Sequence, residues 1–228
     1  MREFLRSVSL FAVCVMGSAA LCPLAAQSPV DRQAAESTVN IYNLDREARV
    51  GGVEIHGPMH KGMVSEAVKL IRSIRPDVDE LTVLLNSPGG DVPAAMELGE
   101  EVRKQWAWTA VDDDGECLGA CVLVLAAGVR RTPTPESVGL QRMNFAQKET
   151  TSPDRANQKN TGVAKRVETY LARMGMPKKL FQEIAAQQSS DKVRLLNAGQ
   201  LKTLGLDGTD PAYERWMREN NVEPPQSK

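Results

Sequence analysis

"ELTVLLN" (80–86) running into "SPGGDVPAAMELGEEVRKQW" (87–106) constrains the fold more than any other stretch of the chain. The first part is short, β-branched and almost continuously apolar, the pattern of a strand buried on both faces. The second opens on two consecutive glycines and continues as a helix. A strand that hands the chain through a tight turn to a helix is the building unit of α/β folds. The same turn is also a place for chemistry. Unpaired N–H groups and the positive end of the helix dipole face outward together there, and Gly89 and Gly90 let another backbone come close. Such a turn either binds a developing oxyanion or is only a tight connection.

The flanking sequence continues the alternation. "ARVGGVEIHGPM" (48–59) predicts a strand through Val53 and Ile55, and "MVSEAVKLIRSI" (63–74) puts Val64, Ala67, Ile71 and Ile74 on one helical face. "AWTAV" (107–111) reads as a strand, followed by an acidic turn from Asp112 to Gly115. An apolar helix lies within "GECLGACVLVLAAGVRR" (115–131), then a strand at "SVGLQRM" (137–143). The polar stretch 146–162 reads as mobile. "VAKRVETYLARMG" (163–175) aligns Val163, Val167, Tyr170, Leu171 and Met174. Another helix starts at Met176-Pro177, and "LLNAGQLKTLGL" (195–206) supplies a strand end and a short helix. Asp210 caps a last helix with Pro211 at its first position. The expectation is an α/β domain over 49–207, a largely parallel sheet with flanking helices, then a C-terminal helix and tail at 208–228.

Ahead of that domain, Arg2 and Arg6 precede an apolar run from Ser7 to Leu21, and Leu24-Ala25-Ala26 is a small-residue cleavage site. Residues 1–26 therefore read as a signal peptide and 27–48 as a flexible lead-in. The alternative is an uncleaved membrane anchor. Export to the periplasm or beyond leaves Cys117 and Cys121, which form either a disulfide or two buried thiols. The bond becomes feasible if Cys117 lies just before the helix, not within it. A net charge of −1 with 4% aromatic residues argues against nucleic acid as a partner.

"VEIHGPM" and "LTVLLNSPGGDVPAAMELGEEVRK", taken with 117–131, resemble the Clp protease proteolytic-subunit family of the crotonase-like superfamily, and more closely its exported bacterial members. The resemblance spans roughly residues 50–207. It implies a ClpP/crotonase-like fold of stacked ββα units and a serine–histidine–aspartate hydrolase. Gly89 and Gly90 match the oxyanion loop. The nucleophile position, nine residues before Gly128, holds Gly119. The base position in "VGLQR" holds Gln141, and the acid position falls on Val193, with Asp191 two residues away. Glycine offers no nucleophile, and a glutamine amide moves no proton near neutral pH. The 163–175 helix lies where the family has a handle used in ring assembly, so self-association and simple packing both fit its stripe.

Two functional readings follow. One is a pseudoenzyme that binds an extended peptide or protein as a scaffold module, with no cofactor and no metal. The other is a peptidase or hydrolase with a displaced nucleophile, Cys117 served by His56. A metal role for His56 and His60 lacks a third ligand at recognisable spacing.

Overall fold

The computed structural model describes residues 37–143, 153–187 and 192–220. Residues 1–36, which include the segment read as a signal peptide, the polar stretch from 144 to 152, Asp191 and the tail from 221 lie outside them. The chain runs β1 (Thr38–Asp45), β2 (Val50–His56), α1 (Lys61–Ile74), β3 (Glu80–Asn86), α2 (Val92–Lys104), β4 (Trp108–Val111) and β5 (Cys117–Leu118). It continues through α3 (Cys121–Ala127), β6 (Arg130–Thr132), β7 (Val138–Leu140), α4 (Pro153–Arg173) and α5 (Lys178–Ala185). Last come β8 (Arg194–Leu195), α6 (Ala198–Thr203), β9 (Gly208–Thr209) and α7 (Pro211–Glu219).

The main sheet has the order β1-β2-β3-β4-β6-β9. Its inner strands β2, β3, β4 and β6 are parallel, and β1 and β9 close the two sides antiparallel. A second sheet, β5-β7-β8, pairs β5 with β7 in parallel and β7 with β8 antiparallel. The architecture is α/β, a mixed sheet core with flanking helices. Two expectations need correction. Residues 38–45 belong to a strand and not to a flexible lead-in; only Val39 of β1 is buried, so an outer strand of this kind shows little apolar alternation. The helix expected from 163 begins at Pro153, because its first turns are polar and carry no apolar stripe.

One face of the sheet is sealed. Val53, Ile55, Val83, Leu85 and Thr109 are fully buried there, against α1 residues such as Val64, Ala67 and Ile71. All seven residues of α3 are buried, which explains a helix with no polar side chain at all. Polar contacts reach its carbonyls from outside, Thr109 Oγ1 donating to Leu125 O at 2.8 Å and Tyr170 Oη to Leu123 O at 2.8 Å. The opposite face of β2–β4 is only half covered, at Glu54, His56, Leu84, Asn86, Trp108 and Ala110. The strand at 80–86 is therefore buried on one face and not on both.

The C-terminal segment is tied in by charge. Arg103 on α2 donates to Asp210 Oδ2 at 2.8 Å and to Met174 O at 2.9 Å, while Arg131 donates to Gly205 O and Gly128 O. Asp210 also caps α7, accepting from Ala212 N at 2.7 Å.

Candidate functional site

The glycine turn after β3 and the turn before α3 meet. Ser87 pairs with Cys117 as an isolated parallel bridge, Ser87 N donating to Glu116 O at 2.6 Å and Leu118 N to Ser87 O at 3.0 Å. On the other side Met59 bridges Gly90, with Met59 N donating to Gly89 O at 2.6 Å and Asp91 N to Met59 O at 2.8 Å. Short stretches of backbone pairing thus clamp the turn from both flanks.

Both glycines are required by that clamp. Gly89 and Gly90 have φ of +102° and +135°. A Cβ on Gly89 would lie 2.7 Å from Leu118 O, and one on Gly90 would lie 2.7 Å from Met59 N and overlap Met59 O. Of the donors expected to face outward, Gly89 N–H is taken by the buried Ser87 hydroxyl at 3.2 Å. Asp91 accepts from Ala94 N at 2.7 Å and sets its own carboxylate at the start of α2. Gly90 N–H keeps no partner among the described residues, and Gly90 is exposed.

Gly119 sits in the left-handed region at φ +52°. The side chain of Gln141 lies across it. A Cβ at residue 119 would fall 2.9 Å from Gln141 Cγ and 3.0 Å from Cδ, and would overlap Nε2. Gln141 Nε2 donates to Pro88 O at 3.2 Å, which anchors the amide over the glycine turn. The structure therefore brings Gly89, Gly119 and Gln141 together from three separate segments. The strand expected at 137–143 covers only 138–140, leaving Gln141 just past its end and free to turn inward. Val193 stands at the β8 side of this cluster, against Gly139, and is 39% exposed. Asp191 lies outside the described residues.

Cys117 ends up in β5 and Cys121 opens α3, and the two form a disulfide with Cα atoms 5.2 Å apart. The condition set by the sequence, that Cys117 precede the helix, is met. Both cysteines are fully buried, and a bonded sulfur is no thiolate, so Cys117 does not serve as an alternative nucleophile. Replacing both cysteines by serine is expected to lower stability by about 2 kcal/mol, the entropy of a very short loop plus lost packing. Urea unfolding with and without reductant measures it, and mass mapping of the 117–121 peptide checks the bond.

The histidines are both engaged. His60 caps α1, its Nδ1 accepting from Met63 N at 3.3 Å. His56 Nε2 lies 2.6 Å from Glu54 Oε1 on the half-covered face. Asp112, just past β4, comes to the same place, so that one ligating atom each from Glu54, His56 and Asp112 lies within 4.8 Å of the others. Sequence spacing gave no sign of Glu54 and Asp112 as companions of His56. Glu54 and His56 share a face two residues apart, and the register His56↔Asn86 along with Leu85↔Val111 brings Asp112 into their row.

No family model and no curated protein matches the chain. Among the described residues no helix is long and apolar enough to cross a membrane.

Proposed function

We propose that this chain is an exported, Clp-protease-like protein of the stacked ββα crotonase-type fold. It keeps the frame of a serine-hydrolase site without the chemistry, and acts as a binding or scaffold module for an extended peptide or protein segment. The observation that carries this reading is the side chain of Gln141 lying where a residue-119 side chain would project. A glycine at the nucleophile position could be a simple loss. A glutamine packed over it, anchored to Pro88 O, fills the space in which a substrate carbonyl would be attacked.

Binding needs less than catalysis does. Gly90 N–H offers a donor to a passing carbonyl. In the small sheet, Leu118 of β5 and the exposed Leu195 of β8 flank Gly139 of β7, and β8 is the outermost strand. Backbone donors with a shallow apolar strip suit an extended segment. The Cys117–Cys121 bond supports export, since such bonds persist in oxidising compartments.

Fluorogenic peptide and ester panels test the reading. The purified chain is expected to give no turnover above that of its Cys117→Ala variant. Turnover that Cys117→Ala abolishes would establish a displaced-nucleophile hydrolase instead. In fluorescence-polarisation binding to a library of extended peptides, Leu195→Asp is expected to weaken retained ligands at least about tenfold.

A further inference from the structure

We propose that Glu54, His56 and Asp112 form a binding site for a first-row divalent cation of the zinc type, separate from the glycine-turn site. The three side chains converge at the carboxyl end of the parallel strands, from β2 and from the residue following β4. Their ligating atoms lie within 4.8 Å of one another, a spread that one ion with bonds near 2.0–2.2 Å closes with small side-chain rotations.

The charge balance points the same way. Glu54 has His56 as its one ion-pair partner, and Asp112 has none, among the described residues. Asp113, Asp114 and Glu116 lie within the next four positions of the chain, and among the described residues no lysine or arginine is ion-paired with Glu54, His56 or Asp112. Glu54 and His56 are about two-thirds covered, with side-chain exposures of 27% and 33%. Partial burial weakens the solvent screening of the two carboxylates, and a cation relieves their repulsion directly. Enough exposure remains for water to complete the coordination shell.

The donor set selects the metal. One imidazole nitrogen with two carboxylates suits Zn²⁺, whereas Ca²⁺ prefers an all-oxygen shell. In the metal-free arrangement the short His56–Glu54 contact requires a proton between Nε2 and Oε1. Metal binding at Nε2 moves that proton to Nδ1 or releases it to solvent, and the freed Glu54 oxygen becomes a ligand.

Titration of the metal-stripped chain with Zn²⁺ in a calorimeter tests the site. One equivalent is expected to bind. His56→Asn is expected to weaken it at least about 100-fold, since even outer partners of a zinc ligand are worth 10–100-fold. Glu54→Gln and Asp112→Asn are expected to weaken it at least about tenfold each. No stoichiometric binding, or binding unchanged in His56→Asn, overturns the proposal. The chain has two histidines, so imidazole ¹⁵N spectra of the unsubstituted protein give an independent readout. Zn²⁺ should shift the ring nitrogens of His56 and leave those of His60 in place; a shift at His60 alone, or at neither, overturns it.

Discussion

Gly90→Ala is expected to destabilise the protein by about 3–5 kcal/mol, with the urea midpoint falling at an almost unchanged slope. Two costs add. The backbone there has φ +135°, where an L side chain is strained by about 1–3 kcal/mol. The new Cβ would also be 2.7 Å from Met59 N and 3.0 Å from Met59 C, and would overlap Met59 O. These are backbone atoms fixed by the Met59 pairing, so no rotamer change relieves the contact, and overpacking adds about 1–3 kcal/mol. Gly119→Ala provides the contrast. Its φ of +52° is the milder left-handed region, and the obstructing atoms belong to a flexible glutamine, so about 1–2 kcal/mol is expected. That cost should shrink in a Gln141→Ala background, which a double-mutant cycle measures. Gly162, exposed on α4 with open space at its Cβ, should become slightly more stable as alanine. The ordering of the three glycines is the test: equal losses would mean that the turn is not clamped as described.

Asp210→Ala is expected to cost about 3–4 kcal/mol and to lower the melting temperature by about 10 °C. The carboxylate does two jobs. It caps α7 through Ala212 N, and it is the ion-pair partner of Arg103, whose side chain is 23% exposed. Removal leaves the half-buried Arg103 facing the buried guanidinium of Arg131. Burial, with help from Arg103, already pushes Arg131 down to about 10. Asp210→Asn keeps the cap and loses the charge, so about half of the cost should remain. The pH dependence has a definite sign. Burial alone would raise the Asp210 carboxyl, but hydrogen bonds from Arg103 and from the Ala212 and Tyr213 backbones outweigh it and hold the carboxyl below the usual range. Its contribution is full above about pH 4 and is lost as pH falls through the lowered value. Acid unfolding of Asp210→Asn should accordingly be flatter below pH 4 than that of the parent chain.

Local signals were readable wherever a residue acts on its own neighbours. The 80–86 strand, the two glycines and the Asp210-Pro211 helix start all follow from short-range chemistry and appear where the sequence puts them. Gly119 and Gln141 could be named from the sequence, but not their contact. The sequence places Gln141 at the end of a strand, whereas its inward turn depends on where β7 stops. Half-coverage of the outer sheet face was hidden for a similar reason. A continuous apolar run looks the same whether one face or two are sealed, because the residues beside Leu84, Glu54 of β2 and the small Ala110 of β4, come from other strands. The Glu54–His56–Asp112 cluster is the extreme case. It depends on two strand registers at once, which no spacing along the chain encodes.

The Cys117–Cys121 bond links residues four apart, so it restrains little of the unfolded chain and nearly all of one turn. Beside the stability of about 2 kcal/mol it contributes, its effect on shape is therefore concentrated on that turn. Backbone bonds from Cys117 N to Ser137 O, Leu118 N to Ser87 O and Gly119 N to Gly139 O hold this turn from outside, and the disulfide closes it from within. The redox state of two buried sulfurs is thus coupled to the geometry of the turn on which the Gln141 side chain rests.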